Sequence, residues 1–512
     1  MPLFWLILQL VAFKYAHALL GRRAQLAFHK QLSLRIHSSI RRPPPSAQSL
    51  THANAVGRSC LLRMSSESLE RRWPRGDVDD IENVYVISDL HTDNLENLEW
   101  LKERCTNFNS QQTPRLNDAL IIAGDISHEL SKLEETLSII IENLSCHVFF
   151  IWGNHEAWVG GQEMDSLGIE TSLQKIEAVK KLCEQMGVYT DFQLVGKSNE
   201  NPVFILPIES WYDATLSLQG CEDLCVKFNA WPWVDFLRCE WPDQNTLKQW
   251  CLLEENTSFS IDDGSVQNTG RIPLGLAEWF ALKNTESISK IQDIYCNLIQ
   301  VEQGAGETME EKSRRPPGLI TFSHFLPNQK TLPDWKDPNC ETFLRDEWLD
   351  HPVPDVSAKF AKVSGSALID KQIRSILSSI SESSDLLESV QHLHVFGHSH
   401  RPKDFVYEGI RYVHNPLGKP VEREMNMVSN ATDFQLVWDC TKSSRTERDV
   451  SDDDNVSYSG GIGEIPGVRV IRFWEEKGGG KGVLARKMKH RRLRRRIEVK
   501  RLVRDVKRES KS

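Results

Sequence analysis

The sequence predicts an α/β protein: a layered β-sheet flanked by helices, with a Trp-rich helical insertion and two basic, disordered termini. Three observations lead there. Short apolar runs of β-favouring residues alternate with stretches whose apolar residues recur at helical spacing, as layered α/β domains require. Several of the runs stop abruptly at Asp, Asn or His, and ligand sites on open α/β sheets lie beyond the carboxyl ends of strands. Charge is segregated along the chain. Of the 512 residues, 1–66 contain nine Lys/Arg and no acid, and 481–512 contain fifteen Lys/Arg against three acids. The net charge of −9 therefore conceals a body, residues 67–480, at −30. Such a body is a poor nucleic-acid-binding core and a good collector of divalent cations.

The first strand is Val84–Ile87, ending Ser88-Asp89-Leu90-His91. Asp93 or Asn94 can cap a following helix that carries Leu95, Leu98 and Leu101 on one face. Ala119–Ala123 reads as a second buried strand ending Gly124-Asp125, and Leu133, Leu137, Ile140, Ile141 and Leu144 mark a helix behind it. Val148–Trp152 is the third strand, ending Gly153-Asn154-His155-Glu156, followed by a helix with Leu173, Ile176, Val179, Leu182 and Met186. Val203–Ile208 is the fourth. Residues 209–317 read as an insertion or cap, helical and holding six of the fifteen tryptophans, which are expected to pack its own core; residues 301–317 are expected to be loop. Gly318–Ser323 ends at His324, and Leu393–Phe396 ends Gly397-His398-Ser399-His400. Phe405–Tyr407 and Ile410–Val413 form a hairpin, and Val468–Trp474 offers a last strand.

Residues 1–66 are set apart as a presequence. Leu3–Phe13 is an apolar run too short for a comfortable membrane span, and an acid-free Arg/Ser/His stretch follows it. This pattern suits delivery to a plastid or mitochondrion, or a cytoplasmic protein if Met64 is the start. No integral span is expected in the mature chain. Residues 80–440 are the folded domain, and 441–512 a disordered linker with a basic tail. Eleven scattered cysteines without a C-x-x-C pair read as reduced thiols.

The strand-tip residues are Asp89, His91, Asp125, Asn154, His155, His324, His398 and His400. Glycine immediately precedes three of the groups, as tight ligand-bearing turns require. Carboxylate, amide oxygen and imidazole together suit Mn²⁺, Fe²⁺ or Zn²⁺ and suit Ca²⁺ poorly. Seven candidate ligands are too many for one ion, whereas two divalent ions sharing a carboxylate use them naturally. Among the remaining histidines, His351, His392 and His414 compete with the isolated His324. His414 ends a strand and is the first substitute, while His392 and His394 read as buried strand residues.

In this order D-x-H, G-D, G-N-H-E, a strand-end His and G-H-x-H resemble the calcineurin-like metallophosphoesterase superfamily over about residues 80–420. The resemblance implies a β-sandwich fold and a phosphoric ester hydrolase with a phosphatase or phosphodiesterase activity. It further implies that Asp89, His91 and His400 hold one metal, that Asn154, His324 and His398 hold the other, and that Asp125 bridges them. His155 would be the general acid or transition-state stabiliser, with Glu156 either orienting it or forming a surface salt bridge. Two metals roughly 3.5–4 Å apart clamp the attacking and leaving oxygens of an in-line displacement and supply hydroxide at neutral pH. The expected substrate is a small-molecule or macromolecular phosphate ester.

One departure matters. Protein phosphatases of the superfamily follow G-D with V-D-R-G, whereas this chain reads Gly124-Asp125-Ile126-Ser127-His128-Glu129. A phosphatase of that type is therefore disfavoured, and the phosphate clamp is unassigned. Two other readings stand beside the hydrolase: a non-enzymatic scaffold on the same fold, and a nuclease or RNA-associated factor that grips nucleic acid with the tail.

Overall fold

The computed structural model describes residues 77–106, 113–219, 233–253, 272–273, 275–303, 316–334, 354–380, 389–424, 427–429 and 432–442. The presequence, the tail and the strand expected at Val468–Trp474 lie outside the described residues. The elements run β1 (Asn83–Ile87), α1 (Leu95–Thr106), β2 (Asp118–Ala123), α2 (Leu130–Leu144), β3 (His147–Ile151), α3 (Gln162–Leu167), α4 (Ser172–Met186), β4 (Gln193–Val195) and β5 (Val203–Pro207). They continue α5 (Asp235–Arg238), α6 (Gln244–Leu253), α7 (Leu276–Gln303), β6 (Gly318–Phe322), α8 (Pro354–Lys362), α9 (Ala367–Ser378), β7 (His392–Val395), β8 (Lys403–Tyr407), β9 (Ile410–His414), α10 (Pro420–Glu424) and β10 (Gln435–Asp439).

The strands form two sheets, ordered β10-β1-β2-β3 and β4-β5-β6-β7-β9-β8. Neighbours β1-β2-β3 are parallel, as are β5-β6-β7-β9, and the edge strands β10, β4 and β8 run antiparallel. Alternation along each strand builds two cores. Val84, Val86, Ala119, Ile121, Phe149 and Ile151 of the first sheet pack with Val203, Ile205, Ile320, Phe322, Leu393 and Val395 of the second. The intervening Tyr85, Ile87, Leu120, Ile122, Val148 and Phe150 turn outward onto helices. Both faces of these strands are covered, which is why they read as continuous apolar runs rather than alternating ones. At about 1.5–3 kcal/mol for each fully buried aliphatic side chain, this double burial is what holds the layers together.

The helical periodicities translate directly. Leu133, Leu137, Ile140, Ile141 and Leu144 of α2 are all buried. Helix α4 opens with a capping box between Thr171 and Gln174 and ends on Gly187 with left-handed φ, and it buries Ile176, Val179 and Cys183. On α1, Leu98, Leu101 and Cys105 face inward, while Leu95, expected on that face, is 67% exposed because it is the first helical residue.

Two expectations are corrected. Helix α7 carries on to Gln303, so residues 301–303 are helical where loop was expected. Among the described residues, the insertion also packs into the main core and not into the separate one expected for it. Trp211 is fully buried against Trp152 at the β3 tip and Phe325 beyond β6, and Leu247, Phe280, Ile288 and Ile291 join the helix-side core of the main sheets. Strand β10, invisible as a periodicity, completes the first sheet, and its Trp438 ring lies against Gly318.

A Cβ on Gly318 would run into Trp438 Cη2 and Cζ2, both in the buried inter-sheet layer. Gly318→Val is therefore expected to cost about 1–3 kcal/mol by overpacking, read as a lowered urea midpoint. An unchanged midpoint would contradict this packing.

Candidate metal centre

Parallel strands point their carboxyl ends one way, so the tips of β1, β2, β3, β6, β7 and β9 share a rim. The rim is cross-linked by backbone: Asp89 N–H bonds Gly124 C=O (3.0 Å), His91 N–H bonds Asp125 C=O (2.9 Å), and Gly397 N–H bonds His324 C=O (2.9 Å). Gly418 N–H bonds Asp89 C=O (3.0 Å), which joins the two sheets. Eight non-glycine residues take positive φ among those described, and five are Asp89 (53°), His91 (44°), Asp125 (57°), His398 (73°) and His400 (52°). Such conformations cost of order 1–3 kcal/mol each and cluster where side chains must be aimed. Gly124, Gly153 and Gly397 allow the approach: a Cβ at Gly124 would strike the His324 ring, one at Gly153 would strike Asp125 Oδ1, and one at Gly397 would come 2.6 Å from Ala123 O.

All eight predicted side chains meet here, and each is at least nine-tenths buried. Seven of them fall into two groups. In one, ligand atoms of Asp89, His91, Asp125 and His400 converge, and in the other those of Asp125, His324 and His398; Asp125 belongs to both. His91 Nε2 and His400 Nε2 stand 2.8 Å apart, with Asp89 Oδ1 3.4 Å from the latter. On the other side, Asn154 Oδ1 lies 3.1 Å from His324 Nε2 and 2.9 Å from His398 Nδ1. Asp125 Oδ1 is 3.4 Å from His324 Nε2, while Oδ2 faces His91 Nε2 at 3.9 Å.

The far nitrogens of three imidazoles are occupied, which fixes the atoms that point inward. His324 Nδ1 is tied to Ala123 O (2.9 Å), His398 Nε2 to Val363 O (3.0 Å) and His400 Nδ1 to Glu422 Oε2 (2.8 Å). Burial, reinforced by neighbouring cationic groups including Lys419, holds His91 and His155 well below the usual imidazole range, and burial does the same for His398. Their lone pairs are thus available to a cation. Burial, then Glu156 and Asp89, pushes the Asp125 carboxyl well up. Burial also opposes the charge on Asp89, but His400 and His414 win and hold its carboxyl below the ordinary range. Burial opposes the charge on His400, but Glu422 and Asp89 raise its pKa. Converging imidazole nitrogens around a carboxylate that neighbouring acids crowd are a donor set that divalent cations satisfy. The residues fit the pair of ions.

His155 stands beside the first group, where His91, Asp93 and His155 form a further set of side chains that could hold an ion. Its ring stacks on Trp158 at 3.8 Å between centroids, its Nε2 is 3.7 Å from Asp125 Oδ2, and its buried Nδ1 has no hydrogen-bond partner.

Glu156 corrects the sequence reading: it is neither exposed nor bonded to His155. It is fully buried and accepts N–H bonds from Gly153 (2.7 Å), Asp125 (3.1 Å), Ile126 (2.8 Å) and Ser127 (3.0 Å). It clamps the β2 and β3 tips together. His414 supports rather than replaces His324, with Nε2 3.1 Å from Asp89 Oδ2. His392 and His394 share Thr321 between β6 and β7, as buried strand residues should. Glu422 and Asp235 leave no mark in the sequence pattern. Both lie on helical segments, and Asp235 sits in a Trp-rich stretch without a motif. Lys419, next to Glu422, acts electrostatically on His91, His155 and His400.

A family model described as calcineurin-like phosphoesterase matches residues 83–402. Solved structures that align with the chain include the following two. Phosphopantetheinyl hydrolase (PptH) from Mycobacterium tuberculosis is 15% identical over 70% of this chain and 96% of its own, with a TM-score of 0.40. A cold-active protein-tyrosine phosphatase of a psychrophilic Shewanella species is 9% identical over 56% and 74%, with a TM-score of 0.19. No curated protein matches the chain.

Glu156→Gln would turn an amide N–H₂ toward backbone donors and leave at least one of them unpaired in a buried place. The metal-free protein is expected to lose about 1–3 kcal/mol, measured by chemical denaturation. Full retention of stability would show that the clamp is not needed.

Proposed function

The chain belongs to the calcineurin-like phosphoesterase family, and from that membership we propose that it hydrolyses a phosphomonoester or phosphodiester at a two-metal centre. The observation that carries this reading is Asp125, whose two carboxylate oxygens face two separate ligand groups. Asp89, His91 and His400 would hold one ion, Asn154, His324 and His398 the other, and Asp125 both. The ions would be Mn²⁺, Fe²⁺ or Zn²⁺, the borderline metals that this mixture of donors accepts. When bound, the pair supplies a water of lowered pKa and neutralises charge that gathers on the phosphoryl oxygens.

The chain's own side chains do the remainder. Asp89, His324, His398 and His400 are oriented by outer partners and need no rearrangement. His155, rigid on Trp158, presents a ring edge beside Asp125 where a leaving oxygen would sit, and would donate or share a proton there. The Lys419 ammonium adds positive charge on the His91–His155 side, where the Arg of the protein phosphatases has no counterpart. It would draw the anionic ester in. A scaffold with this fold would be expected to have lost ligands, and the side chains that could hold ions speak against that reading. The nucleic-acid alternative rests on residues 481–512, outside the described residues. Among the described residues no helix is long and apolar enough to cross a membrane.

Metal-stripped protein reloaded with Mn²⁺ should hydrolyse p-nitrophenyl phosphate or its bis ester, and the ratio of the two rates assigns mono- or diesterase character. Asp125→Asn should abolish turnover with the fold intact; retained turnover would remove the bridging role. His155→Ala should lower kcat by about 10²–10⁴-fold at unchanged metal content, and a parallel loss of metal would make it a ligand instead. Lys419→Gln should raise KM and weaken the dependence of kcat/KM on salt. An unchanged KM would remove Lys419 from the substrate path.

A further inference from the structure

Asp235, the first residue of α5 in the insertion, is 2% exposed and has no place among the metal ligands. Four donors surround its carboxylate. Asn154 Nδ2 (2.9 Å) and Trp158 Nε1 (2.7 Å) bond Oδ1, while Trp233 Nε1 (2.9 Å) and the Tyr212 hydroxyl (3.2 Å) bond Oδ2. Two of these are indoles, which can only donate, so both carboxylate oxygens serve as acceptors.

The consequence falls on Asn154. A side-chain amide has a donor end and an acceptor end, and only the oxygen can bind a cation. A carboxylate accepts only, so Asp235 takes the Nδ2 end. Oδ1 is thereby left facing His324 Nε2 and His398 Nδ1. A flipped amide would set oxygen against the carboxylate and N–H₂ against the ion. The same carboxylate holds Trp158, on which His155 stacks. Backbone secures the arrangement. Val159 N–H bonds Arg238 C=O (2.7 Å), Ser172 N–H bonds Glu240 C=O (3.0 Å), and Glu240 N–H bonds Ser172 Oγ (3.0 Å). The insertion is thus latched to the loop that carries Asn154 and His155.

We infer that Asp235 is a positioning residue for Asn154, so that the insertion completes one of the two metal sites instead of merely covering them. The inference rests on the dimetal reading above and goes beyond it by making the second ion depend on a side chain that never touches it.

The test is Mn²⁺ titration calorimetry on the metal-stripped full chain, with bound metal counted by elemental analysis and folding checked by circular dichroism. The parent chain should bind two ions. Asp235→Asn should keep one and bind the other about 10–100-fold more weakly, the usual loss when an outer partner is removed. Asn154→Asp combined with Asp235→Asn should recover the second ion. The new amide can donate to the new carboxylate, with Trp158 Nε1, which shares Oδ1 in the parent, giving up its bond there, and a carboxylate offers an oxygen to the cation whichever way it turns. Asp213→Asn is the control for general damage to the insertion, since Asp213 bonds Thr215 and Ser366 away from the centre. It should bind both ions like the parent. Parent-like binding by Asp235→Asn, an equal loss in Asp213→Asn, or no recovery in the swapped pair would overturn the inference. The swapped pair also decides the matter if Asp235→Asn alone does not fold: two ions support the inference and one overturns it. A parent chain that binds fewer than two ions would overturn the dimetal reading, and the inference with it.

Discussion

The constraint on which the structure depends is the meeting of strand tips from two sheets around the Asp125 carboxylate. Asp125 is held in left-handed backbone at the end of β2, and its oxygens look into opposite ligand groups. Bringing buried acids and imidazoles so close is unfavourable by itself, since each buried polar group must find a partner. The fold offsets this with atoms already at hand. Glu156 takes up four backbone N–H groups of the adjoining turns, and backbone bonds between tips hold residues that would otherwise relax out of positive φ. The inner faces of both sheets are apolar, so the polar assembly is confined to the rim.

Much of this could be read from the chain before any coordinates. Apolar runs such as Ala119–Ala123 become strands because both faces are buried, and an abrupt end in Gly-Asp or Gly-Asn-His leaves the polar residues at the tip. The order of such ends along the chain sufficed to gather Asp89, Asp125, Asn154 and His398 across more than three hundred positions. What escaped has physical causes. Strands β4 and β10 are edge strands with half-exposed faces, so their patterns are weak. Glu156 looked like a surface acid because its partners are backbone N–H groups, which leave no trace in side-chain identity. Asp235 and Glu422 act from helical segments far along the chain, where only tertiary structure supplies their partners.

The tryptophans show how the same residues serve two ends. Trp211 fills the helix-side core, as aromatic residues mostly do. Trp158 and Trp233 instead spend their indole N–H groups on one buried carboxylate beside the ligands. The insertion therefore shares the core of the main sheets at one place and the polar rim at another. That double attachment keeps a long segment in register with the strand tips.

The most direct measurement of the central claim is electron paramagnetic resonance of the Mn²⁺-loaded protein. Two ions that share the Asp125 carboxylate are close enough to couple, and the account predicts an exchange-coupled dinuclear signal at full loading. A spectrum of isolated, uncoupled ions at every loading would contradict it.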